Sequence, residues 1–157
     1  MRQVRGTAFD YDLRRDAAAG KDVSKQMVIR DDAHSRGLVL VVEDNEGMRA
    51  AIDNLLDVAG FSGICYSSAE SLIAEDRMKE ALCVICDINL PAMSGFEFQA
   101  VLNSRNVDLP IIFIAAKDTL AVRNKAKRCG AAFLAKPFPG SALLAAIESV
   151  AAVTKLQ

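Results

Sequence analysis

The sequence predicts an α/β fold in which five parallel strands form one doubly wound sheet with helices on both faces. Short apolar runs alternate with longer segments whose apolar residues recur at helical spacing. The runs lack the polar alternation of a strand with one face in water, as expected for strands that helices cover on both faces. The predicted strands are residues 38–42, 63–66, 82–86, 111–115 and 131–135.

Signals for helix ends separate these predicted strands. The first helix carries an apolar stripe formed by Met48, Ala51, Ile52, Leu55, Leu56 and Ala59. Gly60 and Gly130 stand where a helix C-terminus favours a residue that tolerates the left-handed conformation. The segments SSAE (67–70) and SGFE (94–97) fit the capping box that opens a helix. The last helix carries a stripe formed by Leu143, Leu144, Ile147 and Val150.

Length and charge limit the classes of protein to consider. The chain has 157 residues, a formal net charge of −1 and a pI of about 5.8, so bulk electrostatics do not predict a nucleic-acid partner. No stretch approaches the roughly 20 apolar residues that span a bilayer, and the polar N-terminus does not resemble a signal peptide. We therefore expect a cytoplasmic protein without a membrane span.

We predict that residues 1–36 form an extension outside the core and that residues 37–157 form the domain. The extension is dense in Arg, Lys and Asp and has no sustained period, so we expect it to be flexible or partly helical around residues 11–19. Met27 offers an alternative start of the chain. The only histidine, His34, lies in this extension, which disfavours histidine-based nucleophiles and metal sites.

We predict that the cysteines are reduced and that Cys83 and Cys86 are small buried apolar residues. Cys83 and Cys86 form a C-x-x-C, but residues three apart in a strand point to opposite faces, so they cannot share a metal. Cys65 and Cys129 have no partner that their spacing nominates.

Charged side chains follow three of the predicted strands. Glu43 and Asp44 follow the first strand, Asp87 follows the third and Lys136 follows the fifth, while the fourth ends at Ala115. Functional groups of open parallel sheets gather at these strand ends, where the strand order reverses. Three close carboxylates repel one another unless a cation is present, and Mg²⁺ prefers such oxygen ligands. Any one acid, Asp44 above all, could instead be a solvated carboxylate at the end of a strand or a helix cap.

Three motifs at these strand ends resemble the receiver domain of bacterial two-component response regulators. They are VVEDNEGMR (41–49), CDINLPAMSGFE (86–97) and AFLAKPF (132–138), and the resemblance covers residue 37 to about residue 155. The resemblance implies a flavodoxin-like fold with strand order 2-1-3-4-5. It also implies a signalling protein that catalyses only its own phosphorylation and dephosphorylation.

The resemblance assigns a role to each of the charged residues. Asp87 would be the phospho-acceptor, a carboxylate nucleophile that takes a phosphoryl group from a partner histidine. Glu43, Asp44, Asp87 and the backbone carbonyl of Asn89 would hold Mg²⁺. Lys136 would bind a phosphoryl oxygen as a point charge, and Pro137 would follow a cis peptide bond.

One position departs from the family pattern. Ala115 stands where the family usually carries Thr or Ser, whose hydroxyl binds the new phosphoryl group and lets an aromatic residue, here Phe133, swing inward. Alanine offers no such donor, and Phe133 is equally well explained as a core residue. A degenerate receiver that acts as a phosphorylation-independent binding module is therefore the alternative function.

The remaining expectations concern partners. Because the sequence ends with AAVTKLQ (151–157) and shows no further module, we expect a stand-alone receiver that docks with a histidine kinase, a histidine phosphotransfer protein or a target protein. The fourth helix is basic, which indicates either a solvated face or an acidic partner; its cations are Arg123, Lys125, Lys127 and Arg128. A metal-dependent phosphatase or hydrolase with an aspartyl nucleophile is a third possible function. Such an enzyme would need a second carboxylate as acid or base near Asp87, and Asn89 occupies the nearby position instead.

Overall fold

The computed structural model describes residues 35–155 of the chain. The predicted N-terminal extension lies almost entirely outside the described residues, together with the helix expected around residues 11–19, Met27 and His34. Two residues assigned to the extension are described, and both contact the domain. Ser35 hydrogen-bonds Ser62, and the Arg36 guanidinium binds the Glu148 carboxylate at 2.8 Å.

The described residues form a single five-stranded parallel sheet with five α-helices, as predicted. The strands are β1 (Leu38–Val42), β2 (Ser62–Tyr66), β3 (Ala81–Asp87), β4 (Ile111–Ala115) and β5 (Ala132–Ala135). The helices are α1 (Glu46–Val58), α2 (Ala69–Glu75), α3 (Gly95–Ser104), α4 (Leu120–Arg128) and α5 (Gly140–Lys155), with a 3₁₀-helix at Met78–Glu80. The strand order β2-β1-β3-β4-β5 confirms the order 2-1-3-4-5.

The sheet separates two apolar cores, one under each layer of helices. Leu72 of α2, Phe98 of α3 and Ala126 of α4 are buried on one face. Ile52 of α1 and Ile147 of α5 are buried on the other. The strand residues between the two layers are apolar on both sides because water reaches neither face.

The two cysteines of the C-x-x-C lie in different cores, as their strand spacing predicts. Cys86 belongs to the core under α2, α3 and α4, and Cys83 belongs to the core under α1 and α5. Burial raises the pKa of the Cys83 thiol to about 12, so the thiol is protonated at neutral pH. All four cysteines of the chain lie among the described residues, and all four are free thiols.

The helix ends follow the sequence signals with one exception. Ser94 and Glu97 form a complete capping box at the start of α3, and Gly60 and Gly130 have positive φ angles of 91° and 73°. The predicted capping box at 67–70 is wrong. Helix α2 begins one residue later, because the Ser68 hydroxyl accepts from the Ser71 amide and acts as the N-cap.

Within residues 35–155, no helix combines the length and the apolar character that crossing a membrane requires.

Candidate functional site

The structure brings three of the predicted carboxylates together at the carboxyl edge of the sheet. Glu43 and Asp44 follow β1 directly, and Asp87 is the last residue of the neighbouring strand β3. Each of the three offers a carboxylate oxygen that lies within 4.8 Å of the other two. The convergence follows from the parallel topology, which places the ends of adjacent strands at the same edge.

Asp87 is held more rigidly than a residue in a loop would be. It extends β3 one residue beyond the predicted strand and pairs with Ile114 of β4. The next amide, that of Ile88, donates to the Ile114 carbonyl at 2.9 Å, and the Asn89 amide donates to Asp87 Oδ1 at 3.0 Å. With 5% of its surface exposed, Asp87 has a fixed carboxylate at the floor of the site.

Lys136 bridges two of the carboxylates. Its Nζ donates to Glu43 Oε1 at 2.8 Å and to Asp87 Oδ2 at 3.0 Å. Burial lowers the pKa of Lys136, but the hydrogen bonds and charges of the two carboxylates outweigh it and hold that pKa above its ordinary value. The ammonium is therefore charged at neutral pH and reduces the repulsion between Glu43 and Asp87.

The backbone around Lys136 is tied to strand β4. Its amide donates to the carbonyl of Ala115 at 2.8 Å, which continues the pairing of β4 and β5 by one residue. The peptide bond from Lys136 to Pro137 is cis, as the resemblance implied.

Glu43 is fully buried although it carries a carboxylate. Its Oε2 accepts from the Asn45 amide at 3.0 Å while Oε1 accepts from Lys136. Burial raises the pKa of Glu43, the two hydrogen bonds lower it in part, and the nearby charge of Asp87 raises it again. Lys136 contacts only two of the three carboxylates, so its single ammonium leaves the cluster short of positive charge that a further cation would supply.

The chemistry of this donor set fits a hard divalent cation. Glu43 and Asp87 are buried and oriented by hydrogen bonds, whereas the side chains of Asp44 and Asn89 are exposed at the mouth of the site. Carboxylate and carbonyl oxygens with room for water on one side are the ligands that Mg²⁺ prefers. A ligand role for the Asn89 carbonyl stays a prediction.

The two residues of the predicted switch lie on neighbouring strands. Ala115 is 1% exposed, with its methyl group among the buried residues under α2, α3 and α4. Phe133 is half-buried, packs against the same core, and has the Arg123 guanidinium 5.1 Å from its ring centroid. The structure therefore gives Phe133 a packing role, and its role as a switch stays a prediction.

The basic helix α4 has internal partners for two of its four cations. Arg123 forms an ion pair with Asp118, and the Lys125 ammonium lies 4.5 Å from the ring centroid of Phe96. Lys127 and Arg128 are exposed in the last turn, where the helix dipole favours positive charge. An acidic partner for this face stays a prediction.

Residues 39–148 match the family described as the response regulator receiver domain. The chain belongs to this family. Its fold, its strand order and the motif resemblance noted in the sequence agree with that assignment, and the receiver domain is the input module of two-component signalling.

Curated relatives of this receiver domain are response regulators. Nodulation protein W of Bradyrhizobium diazoefficiens is 32% identical over 117 residues, which cover 74% of this chain and 52% of that protein. Response regulator protein TodT of Pseudomonas putida is 30% identical over 125 residues, which cover 79% of this chain and 55% of that protein. The chain thus spans about half the length of these curated relatives.

Solved structures support the same assignment. Full-length FixJ from B. japonicum has a TM-score of 0.67 and 30% identity, covering 74% of this chain and 58% of that chain. The chemotaxis protein CheY4 of Vibrio cholerae has a TM-score of 0.65 and 27% identity, covering 73% of this chain and 98% of that chain.

Sequence reasoning missed the role of Gly95 in this receiver domain, since it considered that residue only as part of the capping-box segment SGFE (94–97). A Cβ at this position would lie 2.8 Å from the Asp87 carbonyl oxygen and 2.9 Å from the Ile88 Cα. The Gly95 amide donates to the Ile88 carbonyl at 2.9 Å. Glycine therefore lets the first turn of α3 approach the backbone of the strand end that carries Asp87.

This close approach predicts the effect of Gly95→Ala. The added methyl group would meet backbone atoms that cannot rotate away, so we expect a loss of about 1–3 kcal/mol in the free energy of unfolding, measured by urea denaturation. The matched control is Gly47→Ala in the first turn of α1, where a Cβ meets only the Asn45 side chain at 3.5 Å. That change should be neutral or stabilising. Equal effects of the two substitutions would contradict the account of Gly95.

Proposed function

We propose that this receiver domain accepts a phosphoryl group on Asp87 from a histidine kinase or a histidine phosphotransfer protein. The observation that carries the proposal is the arrangement around one buried aspartate. Lys136 donates to its Oδ2 at 3.0 Å, and Glu43 and Asp44 bring two further carboxylates to within 4.8 Å. A lone structural aspartate would need neither the lysine nor the additional acids.

The chain's own residues would orient the nucleophile. The Asn89 amide on Oδ1 and the Lys136 ammonium on Oδ2 fix the plane of the Asp87 carboxylate before the donor arrives. A carboxylate oxygen of Asp87 attacks the phosphorus of a phosphohistidine, so that a P–O bond forms as the P–N bond breaks. The products are an acyl phosphate on Asp87 and the free histidine of the partner.

Charge compensation is the main contribution that phosphoryl transfer needs from the site. Lys136 is charged and close enough to Asp87 to move onto an oxygen of the transferred group. The Asp87, Glu43 and Asp44 carboxylates, with the Asn89 carbonyl, are the groups that would hold Mg²⁺. When bound there, Mg²⁺ supplies positive charge to the phosphoryl oxygens.

We further propose that the domain catalyses only its own phosphorylation and dephosphorylation and signals by docking to a target protein. A phosphatase with an aspartyl nucleophile would need a carboxylate near Asp87, besides the proposed metal ligands Glu43 and Asp44, to act as general acid. The residue two positions after Asp87 is Asn89, whose side chain is an exposed amide. This residue therefore argues for a signalling receiver over a general hydrolase.

The alternative, a binding module that works without phosphorylation, depends only on Ala115. It is not favoured, because the acidic residues, the acceptor and the lysine are all present and in contact. The loss of the hydroxyl removes a hydrogen bond to the phosphoryl group, which would be worth about 1.5–3 kcal/mol. The proposal therefore keeps the chemistry at Asp87 and assigns the effect of Ala115 to the conformational response.

Phosphorylation can be tested on the purified chain with Mg²⁺ and acetyl phosphate. We expect the intact mass to increase by one phosphoryl group, and we expect Asp87→Asn or chelation of Mg²⁺ to abolish the gain. The matched control is Asp108→Asn, which changes an exposed aspartate in the segment between α3 and β4 and should leave uptake unchanged.

Three results would count against this function. Equal uptake by Asp87→Asn would place the acceptor elsewhere. A protein that is folded by circular dichroism but takes up no phosphoryl group would support the binding module. Steady turnover of unrelated phosphoesters would support a hydrolase.

Ala115→Thr should strengthen the response to phosphorylation. With Mg²⁺ and beryllium fluoride as a phosphoryl mimic, we expect larger amide chemical-shift changes around Phe133 in the threonine variant than in the native protein. A hydrogen bond of about 1.5–3 kcal/mol biases two conformations by roughly 10- to 100-fold. Ala116→Thr is the control, since the next residue is exposed. Equally large shifts in the native protein would show that the hydroxyl is not needed.

A further inference from the structure

Arg49 contacts the backbone of both acids that follow β1. It lies in the first half of α1, and its Nη1 donates to the Glu43 carbonyl oxygen at 2.8 Å and to the Asp44 carbonyl oxygen at 3.3 Å. A single guanidinium nitrogen therefore spans two successive peptide groups. The side chains of those same residues belong to the carboxylate cluster beside Asp87.

Other bonds hold the same short segment on its amide side. The Glu43 amide donates to the Tyr66 carbonyl at 3.0 Å, which ties the segment to the end of β2. The Asn45 amide donates to Glu43 Oε2 at 3.0 Å, and the Asn45 side chain caps α1 by accepting from the Met48 amide at 2.8 Å. Arg49 adds hydrogen bonds to the carbonyl groups of this segment. Both its amide groups and its carbonyl groups are therefore held by partners.

We propose that Arg49 is a positioning residue for the divalent cation that the acidic cluster binds. It would orient the peptide groups of Glu43 and Asp44, so that their carboxylates need not be ordered when the cation arrives. This inference rests on the proposed function, because that function supplies the cation. Groups that orient metal ligands without contacting the metal typically affect affinity by about 10- to 100-fold.

The positive charge of Arg49 allows a decisive test. An effect of that charge and a positioning role predict opposite changes in the affinity for Mg²⁺. A guanidinium bound to the backbone of Glu43 and Asp44 repels a cation that arrives at their side chains, so an effect of charge alone predicts tighter Mg²⁺ binding when Arg49 is replaced by a neutral residue. Positioning predicts weaker binding from the same replacement, because the two carbonyl anchors are lost. The sign of the change in affinity decides between them.

The experiment is a titration with Mg²⁺ alone of the whole chain labelled with ¹⁵N, followed by amide chemical shifts. We expect Arg49→Met to weaken Mg²⁺ binding by about 10-fold. Arg49→Lys, which keeps the charge and one donor group, should weaken it less. Arg105→Met changes an exposed arginine at the end of α3 and should leave the affinity unchanged. Unchanged or tighter binding by Arg49→Met would overturn the proposal.

A metal-free measurement separates failure of this inference from failure of the proposed function. Without Mg²⁺, we expect Arg49→Met to shift the amide signals of Asp44 and Asn45 and to speed hydrogen exchange of the Asn45 amide, while urea denaturation confirms that the variant folds. If the native chain binds no Mg²⁺, the proposed metal site fails. Unaltered signals in the metal-free variant would overturn the positioning role whether or not Mg²⁺ binds.

Discussion

The bridge from the Lys136 ammonium to Glu43 and Asp87 is the interaction on which the site depends. One acid is fully buried and the other is 5% exposed, so neither carboxylate can rely on water to weaken their repulsion. The ammonium lies within 3.0 Å of an oxygen of each. The bridge therefore places one positive charge between two buried carboxylates, the arrangement that both phosphoryl acceptance and cation binding need.

The order of strands explains why this bridge must be a long side chain. Strand β1 is next to β3, so Glu43 and Asp87 meet directly, but β5 is separated from β3 by β4. Lys136 spans that distance with its four methylene groups. Its own amide is bound to the carbonyl of Ala115, the last residue of β4. The bridge is thus anchored to the strand that lies between its base and its charged end.

Much of this arrangement could be predicted from the sequence, because apolar runs and helix-end signals have short-range causes. The strand order was implied by the family motifs, and the meeting of Glu43, Asp44 and Asp87 follows from parallel topology. Two features could not be predicted, since they depend on distances between backbone segments. Helix α3 approaches the strand end so closely that Gly95 has no room for a Cβ, and Arg49 binds backbone carbonyls that no residue pattern reports.

The most direct test of the bridge is a double-mutant cycle on the free energy of unfolding, with Lys136→Met and Asp87→Asn measured singly and together in urea without divalent ions. Removing the ammonium alone should cost about 3 kcal/mol, because it leaves two buried carboxylates without their shared counter-charge. In the Asp87→Asn background the same change should cost at least about 1 kcal/mol less, since one of the two charges is gone. An equal cost of Lys136→Met in both backgrounds would contradict the account.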